Sequence, residues 1–124
     1  MHEAGIAEYL ITVAAQHLQR VPHGPVRSLH VRIGEMAGVN PDSLDFAFEC
    51  LTKGTELEGA RLAVERVPLQ IDCGACGRRT VVEDYVFRCS ACGSEQSSIA
   101  TGRELQFVAI DTDDPPEEIA RASH

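Results

Sequence analysis

Four cysteines carry the most specific chemical signal in this sequence. They form two pairs, Cys73 with Cys76 and Cys89 with Cys92; two residues separate the members of each pair, and twelve separate the pairs. Thiolates are the usual ligands of structural Zn²⁺, and two such pairs can complete one tetrahedral shell. A glycine follows each pair and lets the backbone turn sharply, so that amide groups point at the sulfurs. The spacing predicts a zinc ribbon.

A shell of four thiolates has no open position for water or substrate, so the pattern favours a structural over a catalytic metal. The segment Arg78 to Arg88 is too short to bury a core by itself, and metal binding is expected to supply most of the folding free energy of this lobe. Disulfide pairing is the alternative. It is disfavoured because the chain has no hydrophobic signal segment and the symmetric spacing is unusual for a secreted disulfide scaffold.

The first three residues, Met1-His2-Glu3, form a second and weaker signal. The terminal amine, the His2 amide and the His2 imidazole can chelate one metal ion through fused five- and six-membered rings. Square-planar nitrogen ligands of this kind suit Ni(II) or Cu(II). A histidine at position two is common, so by itself this motif is most simply an exposed residue.

The composition of the chain limits the kinds of molecule that it can bind. The 124 residues include 11 basic and 19 acidic side chains, for a formal net charge of −8, which repels nucleic-acid phosphates. The length indicates one modest globular unit with a metal lobe attached. Because no apolar run is long enough to span a membrane, we expect a soluble, cytoplasmic protein. A fifth cysteine, Cys50, lies in a helical pattern and is expected to be a small buried residue or a free thiol.

Two helices are predicted to position these groups. The first runs from about residue 3 to residue 19, and its apolar residues recur near one helical face: Ile6, Leu10, Val13 and Leu18, with His17 in or beside that face. The second begins with Asn40 as its cap and Pro41 at its first position, and it ends near Lys53-Gly54.

Three segments alternate like strands: 28–33, 60–72 and 105–110. The middle one changes phase near Glu65-Arg66, which predicts a bulge or bend, and Pro68 favours an edge or an irregularity. The cysteines lie between the second and third strands. We therefore predict an α/β fold of the α+β type, with two helices packed on a three-stranded sheet and an inserted four-cysteine zinc-ribbon lobe.

These features divide the chain into three regions. Residues 1–72 and 101–111 are expected to form the α/β domain, and residues 73–100 the inserted zinc-ribbon domain. Residues 112–124 form an acidic tail that is expected to be disordered, because the five acidic side chains between residues 111 and 118 repel one another and little apolar surface is available to bury.

The chain as a whole resembles the HypA/HybF nickel metallochaperones of hydrogenase maturation. The resemblance rests on Met1-His2-Glu3 leading straight into a helix, Ile33-Gly34-Glu35 at a strand end, Ser43-Leu44 to Phe48-Glu49 in the second helix, and the double knuckle ending in Cys92-Gly93. It covers nearly all of the chain except the acidic tail.

The resemblance implies a nickel site at His2, in the α/β domain, and structural zinc on the four paired cysteines. It implies delivery of Ni²⁺, as cargo, to the large subunit of a [NiFe]-hydrogenase, with a HypB-type maturation GTPase as partner. Some family members also serve urease, so urease maturation proteins are further candidate partners. No enzymatic activity, nucleic acid or membrane is implied.

The geometry of a square plane constrains such a nickel site. If the His2 amide is a ligand, its two cis neighbours are the His2 imidazole and either the Met1 amine or the Glu3 amide. Short chelate rings cannot reach the trans position, so that ligand comes from elsewhere. Asn40 is one candidate, although helix capping explains it more simply, and a group of a partner protein is the other.

Two other classes of function compete with this prediction. One is a zinc-ribbon adaptor or regulatory binding protein without a nickel role. A nucleic-acid adaptor of this kind would need a basic face with interleaved aromatics, but the chain is acidic and has only six aromatic residues. A metallohydrolase would need an open metal position beside a general base, which a closed thiolate shell does not offer.

Overall fold

The computed structural model describes residues 3–114 of the chain. Within them the elements are α1 (Glu3–Leu18), β1 (Val26–Gly34), a 3₁₀ turn (Glu35–Ala37), α2 (Pro41–Thr52), β2 (Arg61–Val67), β3 (Gln70–Cys73), β4 (Arg79–Val81), β5 (Ser97–Thr101) and β6 (Leu105–Thr112). The strands form two three-stranded sheets, ordered β2-β1-β6 and β4-β3-β5. The predicted mixed α/β class is confirmed. None of the helices in this part of the chain is both long and apolar enough to cross a membrane.

Backbone contacts divide the chain into two compact units. The cysteine unit comprises Arg32–Gly38 and Glu65–Gln106, and both helices belong to the other unit. The cysteine unit is wider than the predicted lobe 73–100, because it also takes in the ends of β1 and β2, the 3₁₀ turn and all of β3. The division into an inserted zinc-ribbon domain, residues 73–100, and an α/β domain, residues 1–72 and 101–111, stays a prediction.

Helix α1 packs against α2 and buries one stripe of its surface. The buried residues are Ile6, Ala7, Leu10, Ala14 and Leu18. Val13 is only half-buried, and His17 is exposed, with its ring stacked on that of Phe107 at a centroid distance of 5.9 Å. The buried face therefore differs from the predicted one: it includes Ala7 and Ala14 and leaves out His17. The prediction was based on large apolar residues and did not include these alanines.

Helix α2 begins and ends where its local sequence predicts. The Asn40 side-chain oxygen accepts the Ser43 backbone N–H at 3.0 Å, and Pro41 occupies the first turn, where its missing N–H has no intrahelical acceptor to lose. The last helical residue is Thr52. Gly54 follows at a φ of +78°, a left-handed conformation that glycine adopts without strain.

The segment predicted as one bent strand, 60–72, contributes to both sheets. Glu65 and Arg66 are both exposed, which is the predicted change of phase, but the strand continues to Val67. The break comes at Pro68, which has no N–H to donate, and at Leu69, whose N–H donates to Glu35 Oε2 at 3.3 Å. From residue 70 the chain belongs to the second sheet, where β3 pairs antiparallel with β4 and β5.

Hydrogen bonds join the residue after β6 to the loop before β1. Gly24 N–H donates to Asp113 O at 3.0 Å, and Asp113 N–H donates to Pro25 O at 2.9 Å. Arg27 also pairs with the Asp113 carboxylate. The predicted disorder of residues 112–124 thus does not extend to Thr112 and Asp113, whereas residues 115–124 lie outside the described residues.

Candidate metal centre

The sulfurs of Cys73, Cys76, Cys89 and Cys92 all lie within 4.8 Å of one another. The Cys73 and Cys92 sulfurs are 3.5 Å apart, and the Cys76 and Cys89 sulfurs are 3.6 Å apart. Four sulfurs placed about 2.3 Å from a tetrahedral Zn²⁺ would be separated by about 3.8 Å. All four cysteines are free thiols. The arrangement therefore fits one tetrahedral metal ion.

Both cysteine pairs are built on the same backbone turn. After the first pair, Gly77 N–H donates to Cys73 O at 2.9 Å, and after the second, Gly93 N–H donates to Cys89 O at 3.0 Å. These glycines have φ angles of +77° and +76°. A residue with a Cβ would be strained there, so the glycine after each pair is needed to close the turn.

Backbone amides inside the turns point at the first sulfur of each pair. Cys73 Sγ accepts from the amides of Cys76 and Ala75 at 3.4 and 3.3 Å, and Cys89 Sγ accepts from the Ala91 amide at 3.4 Å. The Cys76 amide is the main cause that holds the pKa of Cys73 below its usual range. The amides of Cys92 and Ala91 lower the pKa of Cys89 to about 6. Both sulfurs are thereby prepared to act as thiolates.

The pKa of Cys92 is shifted in the opposite direction. The Ser94 amide lowers its pKa, but the neighbouring Cys73 and Cys89 sulfurs, together with desolvation, outweigh this and raise the pKa to about 11. Thiolates held this close repel one another, so they do not all ionise unless a cation compensates their charge. The donor set is thus that of a thiophilic metal ion with tetrahedral preference.

A small apolar cluster supports the metal centre. Buried Leu69, Ile71 and Val82 form it, and Phe87 and Ile99 pack against it. Leu69, Ile71 and Ile99 lie outside the segment between the cysteine pairs. Strands β3 and β5 therefore also contribute to the core of this lobe. The prediction considered only the segment between the cysteine pairs, which is too short to form a core by itself.

Two carboxylates that the sequence analysis missed hold the backbone of this unit. Glu35 accepts the Leu69 N–H, as described above, and Glu104 Oε1 accepts the Gly102 N–H at 2.7 Å. Its own amide and that of Gly102 are the main causes that hold the pKa of the Glu104 carboxyl below its usual value. The only signal in the sequence is a glycine one or two residues before each glutamate.

The predicted nickel ligands lie elsewhere in the chain. Met1 and His2 lie outside the described residues. Glu3 is half-buried at the start of α1, and the Asn40 carboxamide caps α2. Ligation of nickel by any of them stays a prediction. Cys50, on α2, is an exposed free thiol.

Fold and site together define a small α/β protein with a four-cysteine metal-binding cluster. Residues 1–112 match the HypA family, described as "Hydrogenase/urease nickel incorporation, metallochaperone". The chain belongs to this family of nickel metallochaperones, as its sequence motifs predict.

Individual relatives agree with this assignment. The chain is 39% identical over 122 residues to the hydrogenase maturation factor HypA of Roseiflexus sp. (strain RS-1), an alignment that covers 97% of this chain and 99% of the relative. It is 40% identical over 116 residues to the protein of the same name from Streptomyces avermitilis, with 92% and 88% covered.

Two solved structures share the fold. The solution structure of the Ni metallochaperone HypA from Helicobacter pylori has a TM-score of 0.64 at 20% identity and covers 92% of this chain and 99% of that one. A second solution structure of a HypA protein has a TM-score of 0.68, also at 20% identity, with 90% and 96% covered.

Proposed function

We propose that this protein carries Ni(II) at its N-terminus and helps to insert it into the large subunit of a [NiFe]-hydrogenase, while Zn²⁺ on the four paired cysteines has a structural role. The observation that carries the proposal is the match to the HypA family over residues 1–112, a range that includes both metal-binding motifs.

Zinc is the metal that best suits the cysteine cluster. The distances between sulfurs agree with tetrahedral Zn–S geometry, and backbone amides support the first thiolate of each pair. Four thiolates saturate such a shell and leave no position for substrate. In this proposal the zinc is a resident structural ion, and the protein has no enzymatic activity.

The nickel cargo then needs a separate site, and residues 1–3 supply the ligands. Helix α1 begins at Glu3, and the first four N–H groups of an α-helix have no acceptor within the helix. The Glu3 amide can therefore lose its proton and bind nickel without breaking a helical hydrogen bond. It would join the His2 imidazole and amide in one square plane, and the Met1 amine is the alternative to it.

The position trans to the His2 amide is left for a ligand from outside residues 1–3. Asn40 is one candidate, but its side-chain oxygen already accepts the Ser43 amide, and a neutral carboxamide oxygen is a weak ligand for Ni(II). A group from the recipient protein is the alternative. An incomplete shell of this kind favours transfer, because the recipient can complete the site and then exchange ligands.

The partners in this proposal are those of nickel delivery: a HypB-type maturation GTPase, a hydrogenase large subunit and urease maturation proteins. We place these encounters in the cytoplasm, where thiols stay reduced. Neither nucleic acid nor a membrane is a partner, and the net charge of −8 supports the first of these two exclusions.

The test is nickel titration of His2→Ala in protein whose chain begins at Met1. We expect loss of nickel binding with unchanged zinc content and unchanged far-ultraviolet circular dichroism. The matched control is His30→Ala, which removes an exposed histidine from β1 and should leave nickel binding intact. Stoichiometric nickel binding of unchanged strength in His2→Ala would contradict the site.

A residue added before Met1 separates the two ligand sets. It removes the free amine next to His2, so weaker nickel binding is expected if the amine is a ligand, and unchanged affinity favours the Glu3 amide. If the unmodified protein binds zinc but no nickel in this titration, the alternative of a zinc-ribbon adaptor or regulatory protein without a nickel role is favoured instead.

A further inference from the structure

The turn between β4 and the second cysteine pair has an unusual backbone. Val86 N–H donates to Glu83 O at 3.0 Å, which closes a four-residue turn. Its two central residues, Asp84 and Tyr85, have φ angles of +52° and +57°. Two positive φ angles are typical of type I′ turns, which strongly favour glycine, asparagine and aspartate. Asp84 suits its position, whereas Tyr85 is strained.

Residues 81–88, which we call the ribbon tip, expose apolar side chains around this turn. Tyr85 is 64% exposed, Val86 58% and Val81 51%. The next residue, Phe87, turns the other way and packs against the apolar cluster of the cysteine unit. The strained turn therefore exposes Tyr85 and Val86 to solvent, whereas the adjacent aromatic residue, Phe87, is packed. Backbone strain of this kind is concentrated at binding sites.

A hollow lies beside these exposed residues. Its volume is about 600 Å³, and its lining includes Val81 and Val86 together with Arg79, Glu83, Asp84 and Arg88. Most of its lining is polar or charged, and Val81 and Val86 are its two apolar residues. An exposed aromatic residue beside an apolar patch with a polar rim is the arrangement expected at a protein interface, where tyrosine is among the residues that contribute most to binding.

The charges at the rim indicate what would bind. Arg79 is paired with Asp72 at 2.9 Å, and Arg88 with Glu95 at 3.0 Å, so both arginines are already neutralised. Glu83 has no ion pair among residues 3–114, and neither does its neighbour Asp84. The uncompensated charge of the ribbon tip is therefore negative, which favours a cationic occupant.

We propose that the ribbon tip docks a segment of a partner protein in which an apolar side chain is flanked by lysine or arginine. The apolar side chain enters the hollow between Val81 and Val86. The cations face the Glu83 and Asp84 carboxylates, and one of them can lie on the Tyr85 ring. None of the residues of this surface is among residues 1–3, which are proposed to bind nickel, so the proposal does not depend on nickel binding.

The probe for this surface is a fluorescein-labelled peptide of alternating lysine and leucine, titrated with the zinc-loaded protein and followed by fluorescence anisotropy. We expect Tyr85→Ala to weaken binding at least about fivefold, the loss that separates anchor residues from neutral contacts. Glu83→Gln with Asp84→Asn should weaken it similarly and reduce its dependence on salt, and a peptide with glutamate in place of lysine should not bind.

Matched controls come from α2, where Phe46 is 68% exposed and Asp42 is an exposed carboxylate. Phe46→Ala and Asp42→Asn should change the peptide affinity less than about twofold, a change within the range of neutral contacts. Equal losses in both sets would mean general adhesion of a cationic peptide to an acidic protein and would overturn the proposal.

Tyr85→Gly separates binding from folding. Glycine adopts a φ of +57° without strain, so this variant should be at least as stable as the wild type and yet lose the peptide. Retained binding in Tyr85→Gly would overturn the proposal, as would a wild-type dimer that Tyr85→Ala dissociates, since the occupant would then be a second copy of this chain. Nickel titration of Tyr85→Ala should match the wild type, which keeps this result distinct from a failure of the nickel proposal.

Discussion

The backbones of Gly34 and Gly102 are in direct contact. A Cβ atom on Gly34 would lie 2.1 Å from the carbonyl carbon and oxygen of Gly102, and a Cβ on Gly102 would lie 2.8 Å from Leu69 Cα. Two hydrogen bonds hold the crossing: Gly34 N–H donates to Glu104 O at 2.8 Å, and Met36 N–H donates to Gly102 O at 2.7 Å. Neither glycine has room for a side chain.

Gly34→Ala should therefore destabilise the protein strongly. The added methyl would meet backbone atoms that cannot rotate away, and overpacking of this kind lowers the free energy of unfolding by about 2 kcal/mol or more. Urea denaturation measures the change. The matched control is Gly5→Ala in α1, where the new Cβ would meet no atom of residues 3–114 within 4 Å apart from its chain neighbours and the backbone of the helix itself, and there we expect a gain of about 0.5 kcal/mol. Equal stability of Gly34→Ala and the wild type would show that the two backbones do not meet in solution.

Cys76→Ser should lower zinc retention and loosen residues 73–92, because a hydroxyl is a poor substitute for a thiolate on zinc. Helical circular dichroism should largely survive, since both helices belong to the other compact unit. Zinc analysis after gel filtration, together with limited proteolysis, tests this. Cys50→Ser replaces an exposed thiol outside the cluster and should leave zinc content unchanged. Loss of the whole fold in Cys76→Ser would mean that the α/β unit cannot form without the metal centre.

The two metals should leave at different pH values. Nickel needs a neutral imidazole, so its binding should fall as the pH drops through about 6.5, the reference value of histidine. Zinc is held by four thiolates in a closed shell, and the bound cation competes with protons for all four sulfurs, so zinc should persist to lower pH. Metal analysis after dialysis from about pH 7.5 to 5.5, a range that brackets the histidine value, should find zinc present when nickel has gone. Nickel that persists after zinc has left would mean that it is bound elsewhere.

Asn40→Asp tests the position trans to the His2 amide. An aspartate keeps the acceptor for the Ser43 amide, so helix α2 should be unaffected, and it offers nickel a charged ligand. We expect tighter nickel binding if this side chain completes the square plane. Asn40→Ala should lose the cap and about 1 kcal/mol of stability. Unchanged nickel affinity in both variants would assign the missing ligand to the partner protein.

Local signals account for the parts of the fold that the sequence could predict. Asn40 and Pro41 define the start of α2 through their own backbone chemistry, and the four cysteines identify their cluster by spacing alone. In both cases the information lies within a few residues. No knowledge of the tertiary fold is needed to interpret it.

The remaining features depend on contacts between distant segments. Pro68 predicts an irregularity in residues 60–72, but the alternation continues on both sides of it, and no local signal shows that the two halves join different sheets. The contact of Gly34 with Gly102 is invisible before the strands are placed. The turn at Asp84-Tyr85 also gave no signal, because its geometry is one that tyrosine disfavours.

The two cysteines of each pair differ in their exposure to solvent. In each pair the first sulfur belongs to a buried residue, Cys73 or Cys89, and the second to an exposed one, Cys76 or Cys92. A chelator or an oxidant in solution therefore meets only the second member of each pair. Metal exchange should accordingly proceed in steps, with Cys76 or Cys92 detaching while Cys73 and Cys89 hold the ion, so that the rate of zinc loss is set by half of its ligands.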